Sequence, residues 1–321
     1  MLRLRLVPTR PNIPFVGLRT IGYAVAAALS VLSLVLLLTV GLNAGVDFRG
    51  GILIEMRTEA PADLAAMRDV AGKQGLGDVG LQGFGEPRDV LIRVAHQAGG
   101  EAAQSAAVEK LRAVFTEALG APVAIRRVEV VGPQVSQELV VDGALALGIA
   151  LVAMLIYIWV RFEWQFGAGA LLALTFDTLT TFGLISALGI EFNLTLVAAI
   201  LTVVGYSIND KVVVYDRIRE NLRKFRQMPL AQLITLSLNE TLSRTINTGI
   251  TTLLALFALL IFGGEVIRGF NLSMIWGISI GTLSSMFIAA PVLLYLDLNR
   301  GAAQQHADAA TASSAVTTAS P

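Results

Sequence analysis

Residues 205–221 read GYSINDKVVVYDRIREN. They begin as the end of an apolar run, Leu194 to Val214, and finish as a basic segment. Between the two lies a carboxylate, Asp210, where hydrocarbon is expected. An ionisable side chain within a membrane span costs about 2.5–3.5 kcal/mol on insertion scales. A chain that keeps such a residue generally uses it to move ions or protons. The same stretch therefore sets the class of the protein and its first candidate site.

The rest of the composition agrees. Of 321 residues, 55% are hydrophobic and 15% charged, which places the chain among membrane proteins. Its mean hydropathy is +0.69. Cysteine is absent, which excludes disulfides, thiol chemistry and thiolate metal sites. Histidine occurs only at positions 96 and 306, which excludes a histidine metal cluster. No cofactor and no nucleic-acid partner is expected. The N-terminal apolar run is too long for a cleavable signal and lacks a small-residue cleavage site, so it reads as a retained first span.

Six runs approach the ~20 residues needed to cross the hydrocarbon. They are 21–42, 143–160, 166–190, 194–214, 245–264 and 269–296. Lys and Arg fix their orientation. Arg3, Arg5, Arg10 and Arg19 precede the first span, Arg161 follows the second, and Arg300 follows the sixth. The connection after the fourth span carries Arg217, Arg219, Arg223, Lys224, Arg226 and Arg244. These all fall on one side if both termini are cytosolic. The opposite connections, around Glu191 and between Gly264 and Gly269, hold only Arg268. Residues 1–20 form a basic cytosolic tail. The Ala/Ser/Thr-rich residues 299–321 are expected to be a disordered cytosolic tail.

The segment 43–141 is then exported. Strand alternation at Gly51–Arg57, Val79–Phe84, Val90–Val94 and Val123–Val131 is interrupted by helical spacing at Ala62–Gly72 and Glu101–Leu119. Val108, Leu111, Phe115 and Leu119 share one face of the longer helix. The order βαββαβ predicts a ferredoxin-like α+β domain. About a hundred residues suffice to bury its own core. It holds no Ser/His/Asp arrangement and no ligand cluster. The fold class is thus a polytopic α-helical membrane protein of six transmembrane helices, with one exported ferredoxin-like domain between spans 1 and 2.

Four residues could carry proton chemistry on their own reading: Asp177, Asp210, Arg244 and Asp216. Asp210 lies in the cytosolic half of its span, with Ser207 one turn before it and Asn209 beside it. Desolvation favours the protonated form of a carboxyl, as exchange near neutral pH requires. The alternative places Asp210 and Lys211 at the interface, with Lys211 snorkelling. Asp177 is central in its run among Thr175, Thr178, Thr180 and Thr181, whose hydroxyls serve either a polar path or the backbone. It also reads as a structural carboxylate given donors from a neighbouring helix. Arg244 opens the fifth span and either pairs with Asp210 or anchors a helix end. Asp216, with Arg217 and Arg219, reads first as a solvated helix exit. Gly277, Gly281, Ser284 and Ser285, and Gly183, Ser186 and Gly189, are packing positions.

The ordered motifs resemble one family. GVDFRGG (45–51) follows the first span as GxDFxGG does in the SecD/SecF family of export proteins, relatives of the RND transporters. Residues 205–221 match its GYSxND…DRxREN signature. NETLSRTINTGITT (239–252) is similar to NxTxxRTxxTSxTT, GTLSSMFIAAP (281–291) to its last-span signature, and RFEW (161–164) sits after the second span. The resemblance covers about residues 15–300. Gly249 departs from the usual Ser, and Lys211 stands where a small polar residue is common, which puts a second cation beside Asp210.

The resemblance implies a subunit that works with SecD beside the SecYEG channel in the bacterial inner membrane. It implies use of the proton motive force to promote translocation and release of exported polypeptides. Protons are then the coupling ion, the bilayer and exported chains are partners, and no enzyme chemistry is expected. Asp177, Asp210 and Arg244 would form the proton route, with Asn209 and Asp216 as weaker members. Asp47, Gly50 and Gly51 would couple the first span to the exported domain. Two other readings remain open on residues alone. One is half of an RND-type small-molecule exporter, disfavoured by the single small exported domain. The other is an intramembrane aspartyl protease, disfavoured because Tyr215-Asp216 lies at the cytosolic exit and no GxGD is present.

Overall fold

The computed structural model describes residues 11–296 and 298. Arg3, Arg5, Arg10, Arg300 and the tail expected to be disordered lie outside the described residues. Helix α1, Arg19–Thr39, is apolar and largely exposed, as a lipid-facing helix must be. Its buried residue, Ser33, meets Gly183 of a later helix. A two-residue strand β1, Asn43–Ala44, and a single helical turn α2, Val46–Arg49, lead out of the membrane.

The exported domain follows as β2 (Gly51–Arg57), α3 (Leu64–Gly72), β3 (Val79–Phe84), β4 (Glu86–Val94), α4 (Gly100–Leu119) and β5 (Ala124–Val131). The sheet order is β3-β4-β2-β5, with every pair antiparallel. This is the ferredoxin-like arrangement that the βαββαβ pattern implies. Ile52, Ile54 and Met56 alternate inward along β2 and join Ile92 of β4. Met67 of α3 and Leu111 and Phe115 of α4 close over them. Asp63 caps α3, accepting from the backbone N–H groups of Ala65 and Ala66. Leu53, Glu55, Leu91 and Arg93 point to the opposite face of the sheet, because side chains alternate along a strand. That face carries no helix.

The chain re-enters the bundle through α5, Pro133–Arg161. Proline is tolerated in the first turn because its missing N–H has no helical acceptor there. The helix starts at 133, ten residues before the apolar run at 143. Then come α6 (Trp164–Ala187), β6 (Glu191–Phe192) and α7 (Leu194–Lys224). β6 pairs in parallel with β1, Asn43 opposite Glu191. The basic stretch after the fourth span is not a loop. α7 runs to Lys224 and α8 occupies Leu230–Phe262, with residues 225–229 between them. Leu233, Ile234, Leu238 and Leu242 recur at helical spacing and are buried in one core with Ile218 and Leu222 of α7. That burial carries the helices beyond the hydrocarbon.

The sixth span is α9, Arg268–Ser284, continued by a π-helical turn over Ser285–Ala289 and further short turns to Tyr295. A Cβ on Gly277 would lie 2.4 Å from Val203, and one on Gly281 2.9 Å from the hydroxyl of Ser207. The glycines therefore let α7 and α9 touch. Among the described residues, six helices are long and apolar enough to cross a membrane, and the protein is a multi-pass membrane protein.

Candidate functional site

Helix α7 carries Asp210 and Lys211 as successive residues, which an α-helix turns about 100° apart. The two side chains serve different partners. Lys211 points into the bundle core, where its Nζ lies 2.7 Å from Oδ2 of Asp177 on α6. The same ammonium donates to Ser284 Oγ of α9 at 3.1 Å and to Ser207 Oγ. Ser207 in turn donates to Asp177 Oδ2 at 2.6 Å. Asp177 and Lys211 are both 0% exposed. The Oδ1 of Asp177 is buried with no hydrogen-bond partner. Three helices thus converge on one neutral pair. Gly281 makes this possible by bringing α9 against Ser207, and the π-helical turn begins directly after Ser284. Such turns are frequent at functional sites.

The threonines around Asp177 do not form a path. Thr180 donates to the carbonyls of Phe176 and Asp177, Thr181 to that of Asp177, and Thr175 to that of Leu171. These three hydroxyls serve the backbone, while Thr178 Oγ1 is buried without a hydrogen-bond partner.

Asp210 faces α8. Its Oδ1 accepts from Thr245 Oγ1 at 2.7 Å, while Oδ2 is buried without a partner. Tyr206, Asn209, Arg244 and Thr248 help to enclose a cavity of about 140 Å³ against it. The expected Asp210–Arg244 ion pair is not formed among the described residues. Thr245 occupies the α7-facing side of α8 and is 3% exposed. Arg244, one residue earlier, is turned to the outer surface. Asn247, Thr248 and Thr251 continue that exposed surface at helical spacing. Asn209 is exposed beside them. Asp177, on α6, consequently meets the Lys211 face of α7, and Asp210 points from another face of α7 toward α8, so the two carboxylates do not face one another.

Asp216 pins helices together. Arg161, at the end of α5, donates to it at 2.9 Å, and Arg219 donates to the carbonyl of Arg161. Both acid and base are over two-fifths exposed.

The junction residues tie α2 to the turn between α6 and α7. Asp47 Oδ2 accepts from the backbone N–H of Leu194, the first residue of α7, at 3.0 Å. A carboxylate is favoured at that end of a helix. Gly51 has φ +136°, and a Cβ there would lie 2.4 Å from the carbonyl oxygen of Val94. Gly50 has φ +71°. Both positions need glycine. Close by, Arg93 of β4 reaches Glu191 at 3.4 Å, so an ion pair crosses from the exported sheet to the bundle. Burial pushes the carboxyl of Glu191 up, Arg93 pulls it down and Asp47 adds to the rise; the net direction is upward.

Lys211, Ser284 and the Arg93–Glu191 pair are site residues that sequence reading did not place. Lys211 was visible only as a cation next to Asp210 in the chain. Its partner is 34 residues away on another helix.

Comparison with known proteins adds the following. The family model described as "Protein export membrane protein SecD/SecF, C-terminal" matches residues 111–299. That described as "SecD/SecF GG Motif" matches residues 35–62. The curated "Protein translocase subunit SecF" of Rickettsia rickettsii (strain Sheila Smith) is 45% identical over 290 residues, covering 90% of this chain and 94% of the relative. Its counterpart in Cereibacter sphaeroides is 44% identical over 317 residues, covering 96% and 97%. The crystal structure of SecDF from Thermus thermophilus superposes with a TM-score of 0.80 at 34% identity, covering 89% of this chain and 39% of that one. SecDF in its super-membrane-facing form gives 0.64 at 31% identity, covering 94% and 41%. The chain spans about two-fifths of the length of those solved structures.

Proposed function

The chain belongs to the SecD/SecF family of protein-export membrane proteins, and on that premise we propose that it is an accessory subunit of the Sec export machinery. With SecD, beside the SecYEG channel, it uses the proton motive force to promote translocation and release of exported polypeptides. It sits in the bacterial inner membrane with both termini cytosolic and the ferredoxin-like domain outside. The proton is the coupling ion, and the subunit makes and breaks no covalent bond of its substrate.

The observation that carries this reading is the Asp210 carboxylate. One oxygen has a threonine partner, the other has none, and the residue lines a small polar cavity between two membrane-spanning helices. Arg244 borders the cavity from an exposed polar stripe on α8. Polar side chains facing lipid are unfavourable, so a partner's transmembrane helix, here that of SecD, is the covering expected for the stripe. Asp210 and Arg244 then lie at the subunit interface, with Asn209 at its margin. Asp177 belongs to a separate interior centre with Lys211, and Asp216 to the helix pin at the cytosolic end.

The energetics are adequate. One elementary charge moved across ~100 mV is worth about 2.3 kcal/mol. That shifts a balanced two-state equilibrium roughly fifty-fold. Neutralising Asp210 changes which arrangement of α7 and α8 is favoured, and the exported domain is the load. The experiment is proton-dependent stimulation of export in membrane vesicles, with Asp210→Asn expected to abolish it while assembly with SecD is retained.

A further inference from the structure

The helix-free face of the exported sheet meets the bundle where Arg93 reaches Glu191 and stands off it elsewhere. Between them lies a cleft of about 670 Å³. A volume of that size suits a ligand of several hundred daltons. Its roof is the sheet face, where Leu53 of β2 and Leu91 of β4 sit among Glu55, Arg127 and Glu129. Its floor is the outer end of the bundle, where Leu188, Ile190, Val266 and Phe270 supply apolar surface.

Both walls follow from the sequence. β2 and β4 alternate, so burying Ile52, Ile54 and Ile92 under α3 and α4 turns Leu53 and Leu91 the other way. Register then lines up the charges: Glu55 stands opposite Arg127 and Leu53 opposite Glu129. The floor is held in place by the β1–β6 pair and by the Asp47 cap on α7. Arg93, reaching Glu191, closes one side.

The composition of the lining selects the occupant. A groove for a lipid acyl chain would be apolar throughout, and a site for a phosphate would be basic. Here Asp47, Glu55, Glu129 and Glu191 stand against Arg127, Arg268 and, at the side, Arg93. Arg127 is already paired with Glu129 and lies 3.9 Å from Glu55. The lining is therefore amphipathic with an acidic excess. Two apolar anchors on adjacent strands, flanked by carboxylates, match an extended peptide with apolar side chains and cationic neighbours.

We propose that this cleft is a binding site for an extended segment of an exported polypeptide, with preference for apolar residues flanked by Lys or Arg. The site rests on the export reading above and specifies where this subunit would hold its substrate. It lies at the outer surface of the bundle, where a chain leaving the membrane is first free. Retention there by many weak contacts opposes backsliding and needs no more than that compositional preference.

The test is site-specific photocrosslinking in membrane vesicles containing the full chain and its translocation partners, with a reporter polypeptide arrested in transit. The photoreactive residue is placed at Leu53, at Leu91, or at Val130, which is half exposed on the helix-covered side of edge strand β5. Adducts with the reporter are expected at Leu53 and Leu91 at about fivefold or more over Val130, as a contact worth about 1 kcal/mol gives. A reporter segment with Lys flanks should label more strongly than the same segment with Glu flanks, and Glu55→Gln with Glu129→Gln should erase that difference. Equal labelling at Val130, equal labelling by the Glu-flanked segment, or an adduct with phospholipid in place of the reporter would overturn the proposal. The Leu53 adduct is also read in Asp210→Asn vesicles. An adduct that persists while proton stimulation is lost supports both readings. No adduct in wild-type vesicles that retain full stimulation overturns the cleft and leaves the proton reading standing.

Discussion

Lys211 Nζ lies 2.7 Å from Asp177 Oδ2 at the centre of the bundle, and neither side chain has any exposure. Removing one member of a buried pair leaves the other charge uncompensated and costs about 3–5 kcal/mol, whereas replacing both with apolar groups of similar size is often neutral or stabilising. Lys211→Met alone should therefore lower thermal stability strongly. Lys211→Met combined with Asp177→Leu should regain most of the loss. Melting curves of the four proteins in detergent complete the cycle, and equal losses in the single and double variants would argue that the pair is not the source.

Glu191 gives a pH dependence of defined sign. Its carboxyl is pushed upward, chiefly by burial, in the folded protein. A carboxyl with a raised folded pKa contributes stability fully below its unfolded value, and that contribution is lost as pH rises through the folded pKa. Glu191→Gln removes the loss, so the variant should be as stable as wild type or more so near neutral pH. Its advantage should shrink as the pH falls. Asp89 of the exported sheet has the opposite sign, because its hydrogen bond from Arg57 holds its carboxyl low. Its contribution is present above the ordinary carboxylate range and disappears on acidification, a component that Asp89→Asn should remove. Hydrogen exchange of the β2–β4 amides against pH reads both.

Much of this architecture was legible. Uninterrupted apolar runs announced the spans, and period-two alternation announced the exported sheet, because burial on one face leaves its mark residue by residue. What could not be read was which residues meet across helices. Asp210 and Lys211 are neighbours in sequence, yet the helix turn sends one to Thr245 and the other to Asp177. Arg244 was the natural mate for Asp210 by charge, but Thr245 holds the buried side of α8. The long extensions of α7 and α8 beyond the apolar runs were hidden by polar residues: Arg and Glu of 216–224 masked the buried Ile218 and Leu222, and Gln, Thr, Ser and Asn of 230–242 masked Leu233, Ile234 and Leu238.

Gly51 is a local prediction with a backbone cause. Its φ of +136° is hostile to any side chain, and a Cβ would press on the Val94 carbonyl at 2.4 Å. Strained backbone of this kind costs on the order of 1–3 kcal/mol before the clash is counted. Gly51→Ala should destabilise the start of β2 and loosen the exported domain. Limited proteolysis near residues 45–51 should report it, and an unchanged cleavage pattern would count against the junction's rigidity.

The polar stripe on α8 should be an assembly surface. Asn247→Leu, Thr248→Leu and Thr251→Leu together make that face lipid-compatible. The triple variant should fold normally, since Asn247 is exposed and the hydroxyls of Thr248 and Thr251 donate to carbonyls of their own helix. It should nevertheless co-purify with SecD much less well. Undiminished recovery of SecD would place the partner on another face.

The central claim is that Asp210 is the exchanging carboxylate. The most direct measurement compares export with and without an imposed proton gradient in vesicles carrying wild-type chain or Asp210→Asn, with SecD assembly checked in both. The account predicts a normal complex whose export no longer responds to the gradient. Full stimulation in Asp210→Asn would contradict it.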